Sequence, residues 1–77
     1  MSQVEKLVMM ANQIARNLAV QGEDKTARLT SDHISRYWEP RMRAAIIAYV
    51  ANGGELDPHA KAAVLMLPDR SAASPQA

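Results

Sequence analysis

Proline at position 40, directly after Trp38-Glu39, prevents any one helix from running through the middle of this chain. The residue before a proline is pushed out of the helical region, whereas proline itself suits the first turn of a new helix. Trp38-Glu39-Pro40 is therefore a corner where one helix stops and another begins. The remaining breaks fall at Gln21-Gly22-Glu23, Gly53-Gly54, Asp57-Pro58 and Pro68. Between them lie segments of helical length with helical spacing of apolar residues, and none with the alternation of a strand.

From Gln3 to Val20 the residues Val4, Leu7, Val8, Ala11, Ile14, Ala15 and Leu18 recur at threes and fours, with Ser2 as the expected cap. Glu5, Lys6, Asn12, Gln13, Arg16 and Asn17 fall on the opposite arc, and Gly22 ends the helix. Asp24 is the expected cap of a second helix reaching Trp38. Its wheel places Ala27, Thr30, Ile34, Tyr37 and Trp38 on one side and Lys25, Arg28, Ser31, Asp32, Ser35 and Arg36 on the other. Thr30 and Ser31 are modest helix formers, so a start near Ser31 is the alternative. A third helix runs from Pro40 to Asn52, and a fourth, capped by Asp57, from Pro58 to Leu67. The expected fold class is all-α: a small bundle of three main helices plus one short C-terminal helix in a single domain, 1–68. The Ser-, Ala- and Pro-containing segment 69–77 is expected to be a disordered tail.

Composition makes such a domain lean. With 77 residues it buries only roughly 60% of its unfolded surface. Fourteen of the apolar residues are alanine and none is phenylalanine. Cysteine is absent, which removes disulfides and thiolate chemistry and suits a reducing compartment. A formal charge of +1 is small for a nucleic-acid binder. The chain has no run of apolar residues long enough to span a bilayer and no secretory pattern at its start, so a cytoplasmic location is expected.

Support from another protein is the expected remedy for a thin core. The third helix is apolar nearly all round, with Met42, Ala45, Ile46, Tyr49 and Val50 on one stripe and Ala44, Ile47, Ala48 and Ala51 on the other. Met9, Leu65 and Met66 also lie off the inward faces of their helices. If these residues merge they make a partner surface; scattered, they are ordinary exposed apolar groups. Around the corner, Arg41 and Arg43 occupy the positive end of a helix dipole, which disfavours cations by about 0.3–1 kcal/mol each. Glu39 offsets part of this and has i,i+4 spacing to Arg43, as Asp32 has to Arg36. The arginine forks suit a partner's carboxylates or carbonyls, or else are solvated charges with weak local pairs. Trp38 anchors the small core, an interface, or both.

Constellations for catalysis are missing. His33 and His59 are far apart without regularly spaced carboxylates, Gly53-Gly54 fits neither a P-loop nor a dinucleotide fingerprint, and the acidic residues beside turns read as caps. Ser31-Asp32-His33 is a sequence run, and triads are built in space. No catalytic, cofactor-binding or metal-binding residue is assigned.

Three segments carry a family resemblance. Leu7-Val8-Met9-Met10-Ala11-Asn12-Gln13-Ile14-Ala15, then His33-Ile34 through Trp38 to Pro40-Arg41-Met42-Arg43, then an Ala-rich helix with Gly53-Gly54 and Leu56-Asp57-Pro58 follow one order and spacing. Together they resemble the small delta subunit of cytoplasmic NAD-dependent, molybdenum-containing formate dehydrogenase, over residues 4–67. The resemblance implies membership of a complex that oxidises formate to carbon dioxide and passes electrons to NAD. It further implies that molybdopterin cofactor, iron–sulfur clusters, FMN and NAD sit on other subunits, and that this chain binds none. The role implied is that of a non-catalytic accessory subunit binding and stabilising the large alpha subunit and, through it, the flavin and iron–sulfur subunits.

Trp38, Pro40, Arg41 and Arg43 are the expected partner-binding corner, with Met9 and Ile47 as apolar contacts. Two alternatives stand beside this. One is a small helical nucleic-acid binder built on the corner between the second and third helices, against which the third helix is alanine-rich beyond Arg43. The other is a transient assembly or cofactor-insertion chaperone, absent from the mature particle.

Overall fold

The computed structural model describes residues 2–68, so the expected tail, 69–77, lies outside the described residues. Helix α1 spans Gln3–Leu18. Ser2 begins it with a reciprocal cap: its Oγ accepts from the Glu5 N–H at 3.1 Å, and Glu5 Oε1 accepts from the Ser2 N–H at 2.9 Å. Two of the unsatisfied donors at the helix start are met in this way.

A single 3-10 turn, Ala19–Gln21, follows, and Gly22 at φ +113° and ψ 137° turns the chain into α2, Glu23–Tyr37. Only glycine occupies that backbone region without strain. Gly22, not Asp24, is the cap of α2: its carbonyl accepts from the N–H groups of Lys25 and Thr26 at 3.0 and 3.1 Å and from Thr26 Oγ1 at 2.9 Å. Asp24 sits inside the first turn, where a carboxylate suits the positive end of the dipole. The alternative start near Ser31 is not taken.

Trp38 and Glu39 are extended, and α3 runs Pro40–Ala51 with proline in its first turn. Gly53 at φ +86° reverses the chain after Asn52. Tyr49 then lies against Gly54, where a Cβ would overlap its ring, and the Tyr49 hydroxyl donates to the Glu55 carbonyl at 2.9 Å. The loop is tied to α1 by the Asp57 N–H, which donates to Asn12 Oδ1 at 2.9 Å. Asp57 Oδ1 accepts from the His59 N–H at 3.1 Å and caps α4, Pro58–Leu65. That helix stops two residues short of the expected end, and a tight turn from Val64 brings Leu67 back into the core.

The core gathers Leu7, Ala11 and Ala15 of α1, Ile34 of α2, Trp38, Ile46, Ile47 and Val50 of α3, and Ala60, Val64 and Leu67. The broadest helix contact is between α2 and α4. The side chains these two helices bury are small or medium-sized: Thr26, Thr30, Ser31 and Ile34 from α2, Ala60, Ala63 and Val64 from α4.

Four side chains depart from the helical wheels. Ser31 is only 6% exposed, whereas Tyr37 is 71% exposed. The inward line of α2 is Thr26, Thr30 and Ile34. Tyr37 shares the angular position of that line but is the last residue of the helix, where it is left uncovered. Contact with two neighbours widens the buried arc to take in Ser31. Ile47, expected on the far side of α3, is buried for the same reason, leaving Ala44, Ala48 and Ala51 exposed. Asn12, expected among the solvated residues of α1, is half-buried against the Asp57 backbone.

Candidate docking groove at the helix corner

The corner is held from inside by one arginine. Arg43, in the second turn of α3, donates from Nη1 to the carbonyl of Trp38 and to that of Ser35 at 3.5 Å. These two carbonyls belong to the last turn of α2 and the residue after it, where backbone acceptors lack helical donors. A guanidinium with several fixed donors suits them. The Trp38 N–H still bonds back to the Ile34 carbonyl at 3.0 Å, so the indole is fixed at both ends of its backbone.

The expected partner-binding residues are therefore of three kinds. Trp38 at 4% and Ile47 at 9% exposure are part of this chain's own interior. Arg43 is half-buried and committed to the corner, whereas Pro40 and Arg41 are exposed on its outer side. Met9 is 55% exposed on α1. Among the charges, Asp32 and Arg36 do pair, at 3.3 Å on the surface of α2, where such a contact contributes little.

Met9, Leu65 and Met66 are all exposed, but none of them lines the largest apolar openings at the corner. An open groove of about 390 Å³ runs between α1, the end of α2 and the start of α3, lined by Met10, Gln13, Ile14, His33, Tyr37, Trp38 and Met42. A second recess of about 400 Å³, lined by Gln3, Lys6, Leu7, Met10 and Met42, continues it along α1. The two share Met10 and Met42 and form one trough with a largely apolar floor. Its Tyr37 wall is steadied by the His33 ring, whose centroid lies 4.8 Å away at an interplanar angle of 46°. Met66 belongs elsewhere, to a smaller cleft of about 220 Å³ with Arg28, Ser31, Asp32, Ser35 and Pro68.

Sequence reasoning located Trp38 but missed Met10, Ile14, His33, Tyr37 and Met42 as companions in one site. A signal was present: Gln3, Lys6, Met10 and Gln13 are spaced three and four apart along one strip of α1, beside the buried strip rather than within it.

Among the described residues no group of three or more His, Asp or Glu side chains gathers as a metal site, and no helix is long and apolar enough to cross a membrane. What the geometry defines is a small all-helical protein with an open, mainly apolar trough beside a braced corner. Its family is known: residues 6–64 match the model of the NADH-dependent formate dehydrogenase delta subunit, and the chain belongs to that family. It is thereby one chain of a multisubunit formate dehydrogenase. No curated relative and no solved structure matches it.

Proposed function

We propose that this chain is a non-catalytic accessory subunit that binds and stabilises the large, molybdenum-cofactor subunit of a cytoplasmic NAD-dependent formate dehydrogenase. The observation that carries this is the match to the delta-subunit family across residues 6–64. In this reading formate oxidation, molybdopterin, iron–sulfur clusters, FMN and NAD all belong to the other subunits. This chain supplies a surface.

The corner supports that reading through its construction. Arg43 spends its donors on the Trp38 and Ser35 carbonyls and so fixes the angle between α2 and α3. Pro40 and Arg41 stand outside the corner, available to a partner, and Met9 adds an exposed apolar group on α1. Trp38 and Ile47 act through the interior, by keeping these surfaces in place. A preformed surface loses less ordering entropy on association than a flexible one.

Co-expression of the large subunit with and without this chain tests the proposal. The expected outcome is stoichiometric co-purification and a lower yield of active, cofactor-loaded large subunit when the chain is omitted. Trp38→Ala combined with Arg41→Glu should loosen the complex while the large subunit keeps its intrinsic chemistry. A large subunit that is equally abundant, loaded and active alone, together with a chain that elutes separately, would overturn it. Size-exclusion of the mature enzyme separates a permanent subunit from an assembly chaperone that departs.

A further inference from the structure

We infer that the trough between α1, the end of α2 and the start of α3 seats an acidic amphipathic helix of the large subunit; this rests on the accessory-subunit reading above. Three features point to that occupant. The first is the floor. Met10, Ile14, Trp38 and Met42 line the recess of about 390 Å³, and Met10 and Met42 also line the adjoining one of about 400 Å³ together with Leu7, so apolar side chains continue from one to the other. A strip of this form takes successive apolar side chains from one face of a helix, at i, i+3/i+4 and i+7. Methionine walls adapt to the shape of what they receive.

The second feature is exposure without internal use. Met10 is 42% and Tyr37 is 71% exposed. Tyr37 is nevertheless held by His33, so it presents a positioned aromatic wall. Aromatic anchors of this kind, fixed before contact, are enriched in the energetic centres of interfaces.

The third is charge. Lys6 lines the recess along α1, and neither Asp nor Glu lines either recess. The starts of α1 and α3 also border this space, but Glu5 already caps the first and Glu39 stands at the second, so Lys6 is the charge that a carboxylate of the occupant meets. An apolar helix with a carboxylate facing Lys6 fits both floor and rim.

The test uses the co-purified complex. A photo-crosslinking residue is placed at Met10, and separately at Ala44 and Lys61, which are exposed and line neither recess. Retention on the large subunit is measured for Met10→Lys and Lys6→Glu against the controls Ala44→Lys and Lys61→Glu. Circular dichroism melting confirms that each variant folds. Expected are crosslinks from position 10 into an acidic, apolar-faced helix of the large subunit, and retention lowered roughly tenfold or more by the trough variants only. Replacing the crosslinked carboxylate by lysine should restore binding to Lys6→Glu. Retention of both trough variants at the wild-type level, or crosslinks arising from Ala44 or Lys61 instead of Met10, would overturn the trough while leaving the accessory role intact. Crosslinks between two copies of this chain would replace the proposed occupant by self-association and overturn it. Failure of the unmodified chain to co-purify would strike the accessory reading itself, a result distinguishable from the others.

Discussion

The Arg43 guanidinium donates to the backbone carbonyl of Trp38, five residues earlier, across the break between α2 and α3. A side chain from the second helix thus closes the end of the first, and the corner is a hydrogen-bonded unit rather than a slack linker. Glu39 completes it from the other direction, its carbonyl accepting from Met42 and Arg43 N–H groups at 2.9 and 3.0 Å.

Removing that brace should be costly for an exposed-looking arginine. Arg43→Ala is expected to destabilise the fold by about 1–3 kcal/mol, because two partly buried carbonyls lose a charged donor. In a domain of this size each kcal/mol lowers the melting temperature by roughly 4–8 °C. Arg41→Ala, two residues earlier and exposed, should leave melting nearly unchanged. Equal melting temperatures for the two variants would refute the brace.

Asn12 offers a cleaner case, since its Oδ1 is the acceptor for the Asp57 N–H across 45 positions of sequence. Asn12→Ala should cost about 1 kcal/mol or somewhat more, and Asn12→Asp, which keeps an acceptor, should recover most of it. Hydrogen exchange at the Asp57 amide checks the mechanism directly: it should accelerate in Asn12→Ala and remain slow in Asn12→Asp.

Gly54→Ala is expected to destabilise because the new methyl group collides with the Tyr49 ring. Displacing the ring would also break the Tyr49 hydroxyl bond to Glu55, itself worth about 1 kcal/mol. A double-mutant cycle isolates the clash. In a Tyr49→Ala background the Gly54→Ala change should cost little; an undiminished penalty there would assign the effect to the loop backbone.

Thr30 moves in the opposite direction. Its Oγ1 is buried and, among the described residues, has no hydrogen-bond partner. Thr30→Val keeps the shape, removes the stranded hydroxyl and has nearly equal helix propensity. Stability should rise by about 1 kcal/mol, read from denaturant midpoints; a fall would show that the hydroxyl is satisfied.

The helices were legible from sequence because their ends are written in local chemistry. Ser2, Asp57-Pro58 and Trp38-Glu39-Pro40 act within a few residues of themselves, and the structure uses each as expected. Ser31, Tyr37, Ile47 and Asn12 were misplaced because their exposure depends on where a second helix packs, which a single wheel does not contain. The trough was harder still. Met10, Tyr37 and Met42 come from three elements, and no spacing in the chain marks them as neighbours. Trp38 stood out by size alone, and its place as both core anchor and trough floor needed coordinates.

The close contact of α2 with α4 carries a further consequence. Ala60, Ala63 and Ser31 are already near the lower limit of side-chain volume. Almost any replacement at these three buried positions therefore adds atoms between packed helices, and wedging them apart is the resulting failure. Tolerance to mutation along this seam is one-sided: it has little left to lose by trimming and much to lose by growth.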